Sequence, residues 1–295
     1  MVAAIIDGKI MSAEIRLEIA NRTADFTKTH QTRPGLAAVL VGNDPASAVY
    51  VRNKRRACDE AGMFSETFTL PETASQDELI ELVEKLNVDI RFHGILVQLP
   101  LPSHIDEREV IMTISPSKDV DGLHPISSGL LMEGNPRFVP ATPAGVQQML
   151  IRSGNDPEGK HTVILGRSNI VGKPLACLLL QKNIGANSTV TVCHTGTKNT
   201  KDLTLQADIV IAAVGKPLAL TSDMIQDGAV VIDVGINRIE DSSRKTGYRL
   251  VGDVDYDNVS LKASAITPVP GGVGPMTIAM LLDNTLKAAQ YMVAI

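Results

Sequence analysis

Short apolar runs rich in Val and Ile alternate with stretches of helical spacing along nearly the whole chain, and this alternation constrains the fold more than any other feature. The runs Leu36–Val41 and Gly94–Leu99 lie in the first half, and 162–165, 189–193, 208–214 and 229–234 lie in the second. Near-continuous apolar strands separated by helices are what a parallel sheet covered on both faces requires. Between the first two runs, Ser75-Gln-Asp-Glu78 has the form of a capping box, after which Leu79, Leu82, Val83 and Leu86 recur at helical spacing. Thr142-Pro143 reads as an N-cap followed by proline at the first helical position, which predicts a boundary near residue 140. At roughly 150 residues per domain, 295 residues also favour two domains. The expected fold class is α/β: an N-terminal three-layer α/β domain over 1–140, joined by a final helix over 276–295, and a parallel-sheet domain over 141–275.

Composition removes several classes of function. The 28 Lys and Arg against 33 Asp and Glu leave a net charge of -5, so there is no basic field to hold nucleic acid or an anionic membrane. No segment approaches the roughly 18 consecutive apolar residues of a membrane span. The start, MVAAIIDGKI, has no basic segment ahead of an apolar stretch, which leads us to expect a cytoplasmic protein. Cys58, Cys177 and Cys193 are odd in number and widely spaced, which fits small core residues in a reducing compartment. The six His form neither HxxxH nor HExxH, so no metal site is expected.

The second half holds the clearest ligand signal. Strand His161–Leu165 leads into Gly166-Arg-Ser-Asn-Ile-Val-Gly172-Lys-Pro174 and then a helix, the context in which backbone amides and a helix N-terminus face a pyrophosphate. We read a Rossmann-like domain that binds a dinucleotide. The loop has two glycines rather than the three of GxGxxG, and it is not a Walker A loop, because Pro174 stands where Ser or Thr would hold magnesium. The strand 189–193 ends in His194-Thr-Gly-Thr-Lys198, without the carboxylate that an NAD site uses on its ribose hydroxyl. Arg167, Thr195, Thr197 and Lys198 suit a 2'-phosphate instead, so NADP is expected and NAD is the less favoured cofactor. Solvated surface charges are the alternative for Arg167 and Lys198.

In the first half, Ser47, Tyr50 and Lys54 are spaced to share one helical face. An exposed amphipathic face would have the same spacing. Short-chain dehydrogenases also carry Tyr-xxx-Lys, but there the glycine loop precedes the pair, whereas here it follows by more than a hundred residues. Gln98 interrupts an apolar run, and Asp119 and Asp121 stand in a loop segment, where they either meet a ligand or cap turns. Gly271, Gly272 and Gly274 between prolines suit close backbone approach to a ligand, and Thr277 opens a helix whose N-terminus can face a cofactor.

Taken together, Tyr50-Val-x-x-Lys54, Gly94-Ile-Leu-Val-Gln-Leu-Pro-Leu-Pro102, Lys118-Asp-Val-Asp-Gly122, the 166–174 loop, Asp233-Val-Gly-Ile-Asn237 and 268–277 resemble the bifunctional methylenetetrahydrofolate dehydrogenase/cyclohydrolase family, in the family's order. The resemblance implies oxidation of 5,10-methylenetetrahydrofolate by NADP+ and hydrolysis of the methenyl product to 10-formyltetrahydrofolate, in one folate cleft. It implies that Lys54 assists proton transfers, Gln98 tunes it, Tyr50 stacks on the folate and Asp121 holds the pterin. Ser47, Leu99, Pro270, Gly271 and Gly274 join them as substrate-binding residues. Gly166, Arg167, Ser168, Ile170, Thr195, Thr197, Val214, Gly215, Ile236 and Thr277 are implied for the cofactor. A homodimer is implied as well. The segment Gln181–Ser188 is several residues longer than the family's common connection, and Arg56 stands where many relatives carry Lys. Two rivals remain: a monofunctional NAD-linked dehydrogenase, which would not need Tyr50, Lys54 and Gln98, and a dinucleotide-sensing module without turnover, which would need no folate site.

Overall fold

A computed structural model of the chain describes residues 2–244 and 247–294. In order, the first elements are β1 (Ala4–Ile5), α1 (Gly8–His30), β2 (Gly35–Val41), α2 (Pro45–Glu60), β3 (Phe64–Leu70), α3 (Gln76–Val88), β4 (Gly94–Val97), α4 (Glu107–Thr113) and α5 (Pro125–Met132). Then come α6 (Ala141–Arg152), β5 (His161–Leu165), α7 (Gly172–Leu179), β6 (Thr189–Cys193), α8 (Thr200–Thr204), β7 (Ile209–Ala212), β8 (Val230–Asp233), β9 (Asn237–Glu240), β10 (Tyr248–Val251), α9 (Tyr256–Val259), β11 (Ala265–Ile266) and α10 (Val273–Val293). They form two compact units, one of Ala13–Ala141 with Ile278–Ile295 and the other of Met1–Ser12 with Thr142–Thr277.

The first unit holds a three-stranded parallel sheet in the order β3-β2-β4. All seven residues of β2 are buried, as a central parallel strand demands. Leu79, Val83 and Leu86 of α3 pack with Val39, Ile95 and Val97 of the sheet into one core. The capping box expected at Ser75 is present: its hydroxyl accepts from Glu78 N at 3.2 Å, and the Glu78 carboxylate accepts from Ser75 N at 2.7 Å. Helix α10 closes the unit, with Asn284 buried in it.

The second unit is a six-stranded sheet in the order β1-β11-β8-β7-β5-β6, parallel throughout, with a separate β9-β10 hairpin. Strand β6 spans 189–193, and β5, β7 and β8 lie within or one residue beyond the expected runs. Three boundaries differ from expectation. Residues 1–12, which the sequence reading gave to the first domain, belong to this sheet unit, because Ala4 and Ile5 pair with Ala265 and Ile266. A two-residue strand has no periodicity to read. Helix α6 starts at Ala141, so Thr142 and Pro143 sit in its first turn instead of at its cap, and α10 starts at Val273, three residues ahead of Met276. Proline is tolerated in a first turn because its missing N–H would find no intrahelical acceptor there.

Replacing Ser75 by Ala removes the cap of α3, and we expect a loss of about 1 kcal/mol in stability, read from the shift of the urea midpoint.

Candidate active site

In open α/β sheets, ligands bind outside the carboxyl ends of strands where the chain order reverses. The order β3-β2-β4 places such a point between β2 and β4. From β2 the chain enters α2, where Asp44 accepts from Ser47 N at 2.7 Å and caps the helix. Along this helix Ser47 is buried, Tyr50 is 42% exposed and Lys54 is partly buried. From β4 comes Gln98, which lies just past the strand instead of inside it, its N–H held by Val39 O at 2.9 Å. The two segments meet: Lys54 Nζ donates to Gln98 Oε1 at 2.9 Å, and Gln98 Nε2 donates to Leu99 O at 2.7 Å, which orients the amide.

Asp121 reaches the same place through the segment 118–122. Ile95 N donates to Lys118 O, and Ile95 pairs with Asp119 as a parallel bridge, so this stretch runs beside β4. Two residues further along each stretch stand Val97 and Asp121. The two aspartates do different work. Buried Asp119 accepts from Leu123 N at 3.2 Å, His124 N at 2.9 Å and Ser127 Oγ at 2.6 Å, and so ties down the turn and the start of α5. The Asp121 carboxylate has no hydrogen-bond partner among the described residues and interacts electrostatically with Lys54. Lys118 serves the fold: its Nζ donates to Leu86 O at 3.0 Å and Asp89 O at 2.8 Å, filling carbonyls at the C-terminus of α3. Asn284, which sequence reasoning missed, donates to Val120 O and Val139 O, both at 2.8 Å, and clamps the segment beside Asp121.

Burial pulls the Lys54 ammonium below the usual lysine range, against the opposing fields of Asp121 and Cys58. Burial likewise pushes the Asp121 carboxyl up, with Lys54 opposing and Asp119 adding to the rise. A lysine brought closer to neutral pH can take and return protons. Cys58, one turn along α2, has its thiol pushed up to about 12, first by burial and then by Asp59.

The second unit has its own reversal point, at β7-β5-β6. The loops after β5 and β7 press together there: a Cβ on Gly166, whose φ is +123°, would stand 2.2 Å from Ala213 O. One on Gly172 would stand 2.1 Å from Gly166 O, so only glycines let the loop close on the start of α7. That helix has no side-chain cap at Val171. Arg167, Ser168 and Ile170 are exposed along the loop. Gly166 N donates to Cys193 O and Val171 N to the Ser168 hydroxyl, while among the described residues the amides of 167–170 have no hydrogen-bond acceptor, a cradle that fits a dinucleotide pyrophosphate. Past β6, Thr195 is exposed, while the Thr197 hydroxyl accepts from His194 N at 2.9 Å and is engaged in the turn. No carboxylate stands in 194–198. The longer 181–188 connection enters β6 at its other end, about 16 Å away at the usual rise per residue. It packs back through Gln147 Nε2 to Gly185 O at 2.9 Å.

Val214 and Gly215 follow β7, and their N–H groups donate to Asp253 Oδ2 at 2.6 and 2.8 Å. Ile236 is 48% exposed, and a Cβ on Gly274 would meet its Cδ1 at 3.8 Å, so Ile236 and Gly274 are neighbours. Thr277 Oγ1 donates to Gly274 O at 2.7 Å. Pro270 is exposed and Gly271 is buried, with φ +110°. The structure thus gathers Ser47, Tyr50, Lys54, Gln98, Leu99 and Asp121 in the first unit. Pro270, Gly271, Gly274 and the ten residues expected at the cofactor fall in the second. Sequence reasoning quoted Asp233 and Asn237 only within a motif, without a role of their own, and passed over Asp253, because their roles are carried by hydrogen bonds that leave no periodic signal. Among the described residues no cluster of His, Cys, Asp and Glu could hold a metal, and no helix is long and apolar enough to cross a membrane.

Two α/β units, one with a lysine-amide-carboxylate group and one with a dinucleotide cradle, define a two-domain dehydrogenase class of protein. The comparisons are more particular. Residues 6–121 match the family model of the tetrahydrofolate dehydrogenase/cyclohydrolase catalytic domain, and 140–293 match that of its NAD(P)-binding domain. The chain belongs to this family. It is 56% identical over 286 residues to the bifunctional protein FolD of Chlorobium phaeobacteroides, covering 96% of both chains. The crystal structure of the Campylobacter jejuni bifunctional FolD is 48% identical, with a TM-score of 0.91 over 98% of this chain and 99% of that one. The Trypanosoma brucei enzyme, solved with NADP cofactor and an inhibitor, is 40% identical, with a TM-score of 0.94 over the whole of both chains.

Because the Asp121 field raises the Lys54 pKa, Asp121→Asn is expected to lower it further, measured as the titration midpoint of the Lys54 side chain by NMR. An unchanged or raised midpoint would show that the two groups are not coupled.

Proposed function

We propose that the chain is a bifunctional one-carbon folate enzyme which oxidises 5,10-methylenetetrahydrofolate with NADP+ and hydrolyses the methenyl product to 10-formyltetrahydrofolate. The observation that carries the reading is the 2.9 Å contact of a pKa-lowered Lys54 with Gln98, beside Asp121, at the reversal point of the first sheet. This group is what a monofunctional dehydrogenase or a sensing module would not need. Residues 13–141 and 278–295 form the folate-binding unit on this reading, and 142–277 the cofactor unit.

Gly166, Arg167, Ser168 and Ile170 would hold the dinucleotide on the loop before α7, with Thr195 and Thr197 past β6 and Val214, Gly215, Ile236 and Thr277 towards the nicotinamide. NADP, when bound, supplies the acceptor for a hydride from the methylene carbon. The residues around it need only hold donor and acceptor in line. Arg167, Thr195 and the absence of a carboxylate at 194–198 support NADP over NAD.

In the hydrolytic step, water adds to the methenyl carbon and loses a proton, and the folate nitrogen N5 gains one as its bond to that carbon breaks. One further proton leaves as the formyl carbonyl forms. Lys54 Nζ is the group placed to take and return these protons, with Gln98 Oε1 fixing its direction. Tyr50, exposed on the same face of α2, offers its ring to the folate, while Ser47 and Leu99 flank the site. The free carboxylate of Asp121 matches the donor-rich edge of a pterin. A homodimer, implied by the family resemblance, and a cytoplasmic location, expected from the N-terminal sequence, complete this reading.

The deciding experiment mixes the protein with 5,10-methylenetetrahydrofolate and NADP+ or NAD+, follows nicotinamide reduction, and separately follows decay of added methenyltetrahydrofolate. Both activities with NADP+ are expected; reduction without methenyl decay would mean a monofunctional dehydrogenase. Lys54→Ala should lower methenyl hydrolysis on the order of 10²–10⁴-fold, read as kcat in the decay assay. Arg167→Ala should lose most of the preference for NADP+ over NAD+, read as the ratio of kcat/KM values, with hydrolysis of added methenyltetrahydrofolate retained.

A further inference from the structure

We infer that Asp253 is a positioning residue for hydride transfer, holding in register the two segments that flank the nicotinamide. This rests on the cofactor reading of Val214, Gly215 and Ile236 given above. Asp253 is fully buried, and its carboxylate receives four N–H donors from two separate stretches of chain. Three are the successive amides of Val214, Gly215 and Lys216, at 2.6, 2.8 and 2.9 Å. Consecutive amides turned to one point, here around a left-handed Gly215 with φ +74°, form an anion-binding nest. The anion in this nest belongs to the protein itself. The fourth donor is Asn237 Nδ2 at 2.9 Å, from the residue after Ile236.

The approach of the second segment is close. A Cβ on Gly235 would lie 2.2 Å from Asp253 Oδ1, so glycine lets the 235–237 stretch press against the carboxylate. Asp253 is itself held from behind: Asp233 Oδ1 accepts from Asp253 N at 2.9 Å and from Gly235 N at 3.0 Å, and Asp233 Oδ2 accepts from Val254 N at 3.0 Å. Gly252 makes room for that contact, since its Cβ would fall 1.8 Å from Asp233 Oδ2. One buried carboxylate therefore sets the spacing between Val214–Gly215 and Ile236, while Arg167 and the 166–172 loop lie outside its hydrogen bonds.

Asp253→Asn tests this with almost no change in volume. Its two oxygens each accept two N–H donors, so either orientation of the new amide turns an NH2 group on two of them. In the cofactor-free protein, hydrogen exchange at the amides of Val214, Gly215 and Lys216 should accelerate by tenfold or more. With NADP+, the dehydrogenase kcat should fall on the order of 10²-fold, as misplacement of reacting groups by about 1 Å does, with KM for NADP+ changed far less. The deuterium isotope effect on kcat with methylene-labelled substrate should rise, whereas a merely structural loss would leave it unmoved. Hydrolysis of added methenyltetrahydrofolate should stay near the wild-type rate. Should Asp253→Asn fail to fold, Asn237→Ala, which removes one donor, decides: a severalfold loss of dehydrogenase kcat with hydrolysis retained supports the inference, and an unchanged kcat overturns it. Wild-type dehydrogenase kcat and isotope effect in Asp253→Asn overturn it too. If Arg167→Ala at the same time lowers NADP+ preference, the cofactor reading stands and only the role of Asp253 falls; a wild-type protein that does not reduce NADP+ removes the reading beneath it.

Discussion

Two parallel strands cannot be joined by a tight turn, so each must hand the chain to a crossover, and where successive crossovers leave in opposite directions the carboxyl ends of neighbouring strands are left uncovered. Both units meet this constraint once in a way that matters. Between β2 and β4 the uncovered ends receive the first turns of α2 and the Gln98 segment, and between β5 and β7 they receive the glycine loop and the Val214 turn. The start of α2, the Gln98 segment and the Val214 turn therefore leave strands β2, β4 and β7, all of whose residues are buried. Rigidity comes from the sheet, and variety from the loops that leave it.

Such loops carry unpaired amides, and this protein satisfies them with buried carboxylates of its own. Asp119 gathers two amides and a hydroxyl beneath Asp121; Asp253 gathers three amides and an asparagine; Asp233 gathers three amides more. The burial cost shows in Asp233, whose carboxyl is pushed up to about 6 although three backbone N–H bonds oppose the rise. Side chains nearby are left for other work: Asp121 stands two residues from Asp119, Val214 keeps an exposed side chain while its N–H binds Asp253, and exposed Ile236 precedes Asn237, which binds Asp253.

The parts of the molecule governed by periodicity were legible in the sequence. Strand β6, the capping box of α3 and the shared face of Ser47, Tyr50 and Lys54 follow from spacing alone, because pleat and helix repeat at fixed intervals. The parts governed by single long-range contacts were not. Lys118 lies in the same short motif as Asp121, yet its ammonium caps α3, and no spacing distinguishes a lysine that fills helix carbonyls from one that meets substrate. Gln98 reads as a break within an apolar strand but stands beyond its end, and the Thr197 hydroxyl, a candidate for phosphate, is engaged with His194 N. Asp253 and Asn284 act through partners more than fifteen residues distant, which only the folded chain brings near.

Cys58 lies one helical turn beyond Lys54 on α2, wholly buried, with its thiol pushed up to about 12. The environment that makes the lysine more nucleophilic makes the cysteine less so, because burial favours the neutral form of both and only for the amine is that form the reactive one. An electrophile that reaches this face of α2 therefore finds the Lys54 amine easier to modify than the buried Cys58 thiol one turn away. Selectivity for covalent ligands directed at this face is accordingly that of amine chemistry rather than thiol chemistry.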